Sequence, residues 1–277
     1  MKSIAITAHV IRGEPATDEL VAGYVSKIAR IPHEVARGLP AQGNYIKFFI
    51  IGASFALHRG ETDLGRRLLS VALDCAAASF MSSGRAGEFT FCLEGRPLTG
   101  PGGDSDVASL SRWTESFLLA SALRRIDVLD VLAAYTHEDL RRSTTGTSDE
   151  YTWTLAEALR LYHLRDPSAA HALAEAEVQS RPENLRVAPP RYASRYRALI
   201  PIYQAVSAHD QAAFTTACAE AIRAHKAFYS RGQEVRGVTG ILAYQAAGAA
   251  AQGIDRGLAW EIESPYTPDW LVLRGRP

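Results

Sequence analysis

The chain has 277 residues, 47% of them apolar and 22% charged, with 30 Lys+Arg against 30 Asp+Glu. A chain of this length buries on the order of 75% of its unfolded surface, so its core needs neither disulfides nor a structural metal. Zero formal charge supplies no global field toward nucleic acid or an anionic membrane, and any charge-based recognition must rest on a local patch.

Residues 3–11 are too few and, with Thr7 and His9, too polar for a signal-peptide core. From Asp18 the apolar set Leu20, Val21, Tyr24, Ile28 and Ile31 recurs at helical spacing; Thr17 or Asp18 can cap this helix, and Gly38 can stop it before Pro40. Helices are expected over 45–58 and 63–81, the second with Leu64, Leu68, Val71, Ala72 and Cys75 on one face and Gly84 beyond its end. The period changes at Glu88. Phe89, Phe91 and Leu93 alternate with Thr90, Cys92 and Glu94, and Glu94-Gly95 supplies a tight turn, which together predict a β-hairpin over about 88–99. Gly100-Pro101-Gly102-Gly103 then reads as a connector, with Asp104 or Ser105 capping a helix through Leu110, Trp113, Phe117 and Leu118.

Further helices are expected over 127–134, 149–163, 167–180, 191–206, 211–229 and 238–252, and 259–263 reads as extended. The longest uncharged run, 237–254, is rich in Ala and Gly and holds Gln245 and Gln252, so no membrane span is expected. Asp63, Asp127, Asp166 and Asp210 each follow a short basic turn and read as N-caps. The last three stand 39 and 44 residues apart, a helical-hairpin period. The expected fold is mostly α, with stacked antiparallel helices in an α-solenoid-like array and one short β-hairpin, in a single domain over 1–277.

Cys75, Cys92 and Cys218 are odd in number and lack C-x-x-C spacing, which predicts reduced core thiols in a cytoplasmic protein. The phosphate-loop, H-E-x-x-H, G-x-S-x-G and dinucleotide signatures are absent; Gly95 and Gly100 have phosphate-loop spacing, but Pro101 stands where the lysine is needed. The eight histidines are scattered, and the closest pair, His163 and His171, straddles the Asp166-Pro167 turn, so neither a metal nor another cofactor is expected. Asp104 with Asp106, and Glu261 with Glu263, are i, i+2 carboxylate pairs of a kind that can hold a divalent cation. Helix capping by Asp104 and the polar side of a strand for the glutamates account for them equally well. Asp149-Glu150 complements the positive end of a helix dipole, or forms an acidic patch for a basic partner. Trp113, Trp153, Tyr192 and Tyr196 fit core packing, and His225-Lys226 fits a helix C-terminus. Nothing in these patterns demands an enzyme.

Several segments, read in order, carry a family resemblance. They are the hairpin with Gly95-Arg96-Pro97-Leu98-Thr99-Gly100-Pro101 and Trp113 after it, then Asp149-Glu150-Tyr151, then Pro189-Pro190 leading to Leu199-Ile200-Pro201-Ile202-Tyr203. Ala221, His225-Lys226 and Tyr229 follow, then a small-residue helix from Gly237, then Asp255-Arg256-Gly257 and Trp260-Glu261-Ile262-Glu263-Ser264-Pro265-Tyr266-Thr267-Pro268. Over about residues 45–271, and most specifically from Ala221 onward, the chain resembles the immunity protein 49 family of bacterial polymorphic toxin systems. The resemblance implies a mostly helical cytoplasmic protein that binds and neutralises the toxin domain encoded beside it, stoichiometrically and without catalytic residues. Asp104, Asp106, Asp149 and Glu150 are the candidate toxin contacts, with neither nucleic acid nor a membrane as a direct partner. A helical-repeat scaffold that binds peptides, and an enzyme that reverses the toxin's damage, remain open as alternatives.

Overall fold

The computed structural model describes residues 3–11, 17–37, 42–103, 108–232, 234 and 237–273. In chain order the elements are strand β1 (Ile4–Ala5), helices α1 (Asp18–Ala36), α2 (Gln42–His58) and α3 (Thr62–Ser82), strands β2 (Glu88–Leu93) and β3 (Arg96–Pro101), and helices α4 (Leu110–Leu123), α5 (Ile126–Ala134) and α6 (His137–Ser143). Helices α7 (Glu150–His163), α8 (Ala169–Gln179), α9 (Pro190–Arg197), α10 (Ile200–Ala208), α11 (Gln211–Tyr229) and α12 (Tyr244–Ile254) follow, then strand β4 (Ile262–Glu263) and helix α13 (Asp269–Val272). The fold is mostly α, built of stacked helices. Among the described residues no helix is long and apolar enough to cross a membrane.

Thr17 caps α1 by accepting the Leu20 N–H at 3.2 Å, and Val21, Tyr24, Ile28, Ile31 and Val35 form the helix's buried stripe. Leu20 falls outside that stripe and is exposed. Gly38 and Pro40 lie outside the described residues.

Strands β2 and β3 pair antiparallel with Leu93 opposite Arg96, so two residues, Glu94 and Gly95, make the turn. Both have positive φ, 51° and 76°, the geometry that matches the twist of the flanking strands and that Gly adopts at no steric cost. Phe89, Phe91 and Leu93 are buried, while Glu88, Thr90 and Cys92 face outward. Cys92 is therefore an exposed thiol, unlike the buried Cys75 and Cys218.

The glycine run is not a free connector. Gly100 and Pro101 complete β3, and the N–H groups of Gly102 and Gly103 donate to Gly87 O at 2.6 Å and Ser82 O at 3.1 Å. The following helix starts at Leu110 with Ser109 in the N-cap position; Asp104 and Ser105, the expected caps, lie in 104–107, outside the described residues.

Five helices end in one kind of turn. Gly60, Arg124, Arg165, His209 and Gly257 all have positive φ, and in each case the next residue's N–H returns to a carbonyl five positions back, as Asp210 does to Ala205 at 3.0 Å. This is the Schellman closure, which satisfies the last carbonyls of a helix and reverses the chain. It underlies the repeated Asp-after-basic-turn pattern and sends α2 back along α3, α4 along α5, α7 along α8 and α10 along α11. Only Asp210 is a true N-cap, accepting the Ala213 N–H at 2.9 Å. Asp63 and Asp127 fall inside the first turns of α3 and α5, and Asp166 instead accepts the Ser168 N–H in the turn before α8.

Two expected helices are interrupted. The 191–206 segment divides into α9 and α10, because Pro201 in the first turn of α10 has no N–H to continue the ladder. The 238–252 segment divides into a 3₁₀ turn at Val238–Gly240 and α12. The extended reading of 259–263 holds for Ile262–Glu263, which pairs parallel with Ile4–Ala5.

Helix α4 occupies the middle of the stack, packed against α3, α5, α7 and α12. Ten of its residues are buried, and the indole of Trp113 donates to Leu132 O at 2.8 Å. Trp153 is also core, but Tyr192 is 38% exposed, so its assignment to the core fails.

Candidate functional site

Of the four acidic candidates, two fall within the described residues. Asp104 and Asp106 lie outside the described residues. Asp149 is only 6% exposed, and its carboxylate accepts three backbone N–H groups, from Arg186 at 2.5 Å, Val187 at 2.9 Å and Ala188 at 2.7 Å. Burial by itself would raise its pKa, but the three donors outweigh burial and hold the carboxyl below the ordinary aspartate value. Asp149 thus clamps the 185–188 loop to the start of α7 and is itself buried there. Glu150, the next residue, points outward and is paired with Arg141, whose guanidinium lies 4.6 Å from the Trp153 ring centre. Arg142 with Glu138 continues this surface, which is charge-balanced rather than acidic.

A different cluster emerges between α2, α4, α9, α11 and α12. A cleft of about 250 Å³ is walled by Tyr192, Phe228, Tyr229 and Tyr244, with Lys47 at its rim and Glu115 and Arg195 inside. Helical spacing places Tyr192 and Arg195 on one face of α9, while Phe228 and Tyr229 come from the last turn of α11. Gly240 closes the wall. A Cβ there would meet the Tyr229 ring at 2.3 Å, so only glycine lets the 3₁₀ turn lie against that ring. The carbonyl of Gly240 accepts a hydrogen bond from His225 Nε2 at 2.8 Å, and burial pulls the pKa of His225 down to about 4. His225 is therefore a neutral core residue rather than a cation complementing the end of α11.

The guanidinium of Arg195 lies over three rings, with its central carbon 4.5 Å from the Phe228 centroid and 5.6 Å from those of Tyr196 and Tyr229. Its Nη1 donates to Tyr229 Oη at 2.9 Å, and its Nε has no partner. Glu115, the one acidic residue of α4, is half-buried across the cleft. Burial pushes its carboxyl above the ordinary glutamate range against the pull of Arg195, Lys47 and Arg112. Sequence reasoning missed both charges. The available signal was a lone carboxylate in a helix otherwise built of Leu, Phe, Trp, Ala, Ser and Thr beside Arg112, a placement that burial punishes unless it serves something.

A larger cavity, about 820 Å³, opens where the C-terminal turns of α4, α7, α10 and α12 meet. Arg124, Asp255 and Arg256 there are engaged in holding the fold. Arg124 donates to Ala122 O, Leu271 O and Val272 O and pairs with Asp255, and Arg256 lies 4.2 Å from the Tyr162 ring centre. Among the described residues no group of three His, Cys, Asp or Glu side chains converges as metal ligands would.

Stacked helix pairs around one core, with a cleft of tyrosine, phenylalanine and arginine opening at the surface, have the composition from which protein-recognition sites are built. Comparison with protein families makes the assignment specific: the family described as Immunity protein 49 matches residues 62–271, and the chain belongs to that family. No curated protein and no solved structure matches the chain.

Proposed function

We propose that this protein neutralises a toxin domain encoded by an adjacent gene, in a polymorphic toxin system of competing bacteria, by binding it one-to-one in the cytoplasm without catalysis. Membership of the immunity protein family across residues 62–271 is the observation that carries this reading. Keeping free toxin low calls for nanomolar or tighter affinity, about −12 kcal/mol, and an interface of roughly 1,600 Å². Calorimetric titration with the C-terminal domain of the neighbouring gene's product, run beside a co-expression growth assay, tests it. Tight one-to-one binding with rescue at stoichiometric amounts is expected. Rescue at substoichiometric amounts, or rescue without binding, would point to an enzyme instead.

Of the acidic candidates, Glu150 is the exposed one in the described structure, and the proposal keeps it as a toxin contact. Glu150→Lys is expected to weaken toxin binding roughly tenfold, about 1.4 kcal/mol. Stability should change by about 0.5 kcal/mol or less, because Glu150 and Arg141 are both well exposed. Calorimetry and thermal melting of the same sample separate the two effects, and Asp104→Asn and Asp106→Asn belong in the same series. Unchanged affinity in Glu150→Lys would remove this residue from the interface.

A further inference from the structure

We propose that the aromatic cleft is a binding site for a single carboxylate group, received by the in-plane donors of Arg195. Arg195 has lost much of its hydration, with the Phe228, Tyr229 and Tyr196 rings gathered around its guanidinium carbon. One donor is satisfied by Tyr229 Oη, Nε is buried with no acceptor, and among the described residues no carboxylate stands within ion-pair distance. All the donors of a guanidinium lie in its plane at its edge, and a carboxylate's two oxygens match that edge geometrically. The cavity beside it is large enough for one acidic side chain or a small organic acid. Lys47 at the rim adds attraction for an anion. Glu115 and Glu234 line the same cleft without closing on Arg195, so the site is held open and an incoming carboxylate must tolerate their like charge.

Under the immunity reading the carboxylate is an acidic side chain of the toxin, and this step alone rests on that reading. The site itself is tested without the toxin, by titrating the ¹⁵N-labelled protein with N-acetyl-L-glutamate and following the Nε–Hε resonance of Arg195, assigned through its backbone. A saturable shift with a Kd on the order of 1 mM is expected, the range a ligand of this size reaches. N-acetyl-L-glutaminamide, the glutamine analogue in which amides replace both carboxylates, should leave the resonance in place. Glu115→Gln, which removes the neighbouring negative charge, should tighten N-acetyl-L-glutamate binding roughly threefold or more. A shift linear in probe, an equal response to the glutamine analogue, or an affinity unchanged in Glu115→Gln would each overturn the site. Competition then separates the sources of the carboxylate. N-acetyl-L-glutamate that weakens toxin binding assigns the carboxylate to the toxin, while a saturable site with toxin binding unaffected assigns it to a free organic acid. A toxin domain that fails to bind at all would overturn the immunity reading and leave the carboxylate titration standing.

Discussion

Gly248→Ala is expected to lower stability by about 3 kcal/mol, even though alanine is the better helix former by about 1 kcal/mol. Gly248 lies in α12 where that helix crosses α4, and a Cβ at this position would stand 2.0 Å from Leu118 O and 2.8 Å from Leu118 C. The obstacle is backbone, so no rotamer change relieves it. The two helices must move apart by more than an ångström, and the separation opens the contacts around Ala247, Leu118 and Leu119, all fully buried. Close-packed interiors transmit such a displacement instead of absorbing it. In urea the midpoint should fall by about 1 M for a slope near 3 kcal/mol/M. The same substitution at Gly23, on the exposed face of α1 with nothing within 4 Å of its added Cβ, should instead raise stability by about 0.5–1 kcal/mol. Equal effects at the two sites would mean that backbone propensity, and not the crossing of α4 and α12, sets the outcome.

The contrast between these two glycines shows where sequence reading stops. Periodicity locates α12 and α1 as helices, but not the element each faces, and it is the facing element that makes Gly248 obligatory and Gly23 replaceable. The same division runs through the fold. The hairpin was legible because alternation and a two-residue turn are local, and Gln211–Tyr229 was legible because its cap and period are local. The break at Pro201 was legible in principle, since the missing N–H is written in the sequence. By contrast, the pairing of Ile4 with Ile262 joins opposite ends of the chain and carries no local mark. The cleft behaves likewise, with Lys47, Glu115, Arg195 and Tyr229 arriving from four helices. Tyr192 looked like core because helical spacing cannot distinguish a wall of the interior from a wall of a surface cleft.

Asp149 gains a structural role once its distant partners are known, and Asp149→Ala is expected to cost about 2–3 kcal/mol. Adjacent to Glu150 in sequence, it reads as half of an acidic patch; in the fold its oxygens accept N–H groups from Arg186, Val187 and Ala188, 37 to 39 residues away. Charge-assisted bonds of this kind are individually stronger than neutral ones, but the 185–188 loop is largely exposed, so water recovers part of what is lost when the acceptor is removed. The pH dependence follows from the lowered carboxyl pKa. Because the group titrates lower folded than unfolded, its contribution is fully present above the unfolded value, about pH 4, and disappears as pH falls through the folded value. Wild type should therefore lose stability on this acid limb more steeply than Asp149→Ala, and the two should converge toward low pH. A constant gap between them across that range would show that Asp149 acts by packing and not through its charge. Trypsin supplies the local readout, since Arg186 sits in the released loop and should be cut faster in the variant at neutral pH. Per folded molecule, toxin affinity should be unchanged, the reverse of the pattern expected for Glu150→Lys, so that two neighbouring carboxylates separate cleanly into one that holds the loop and one that meets the partner.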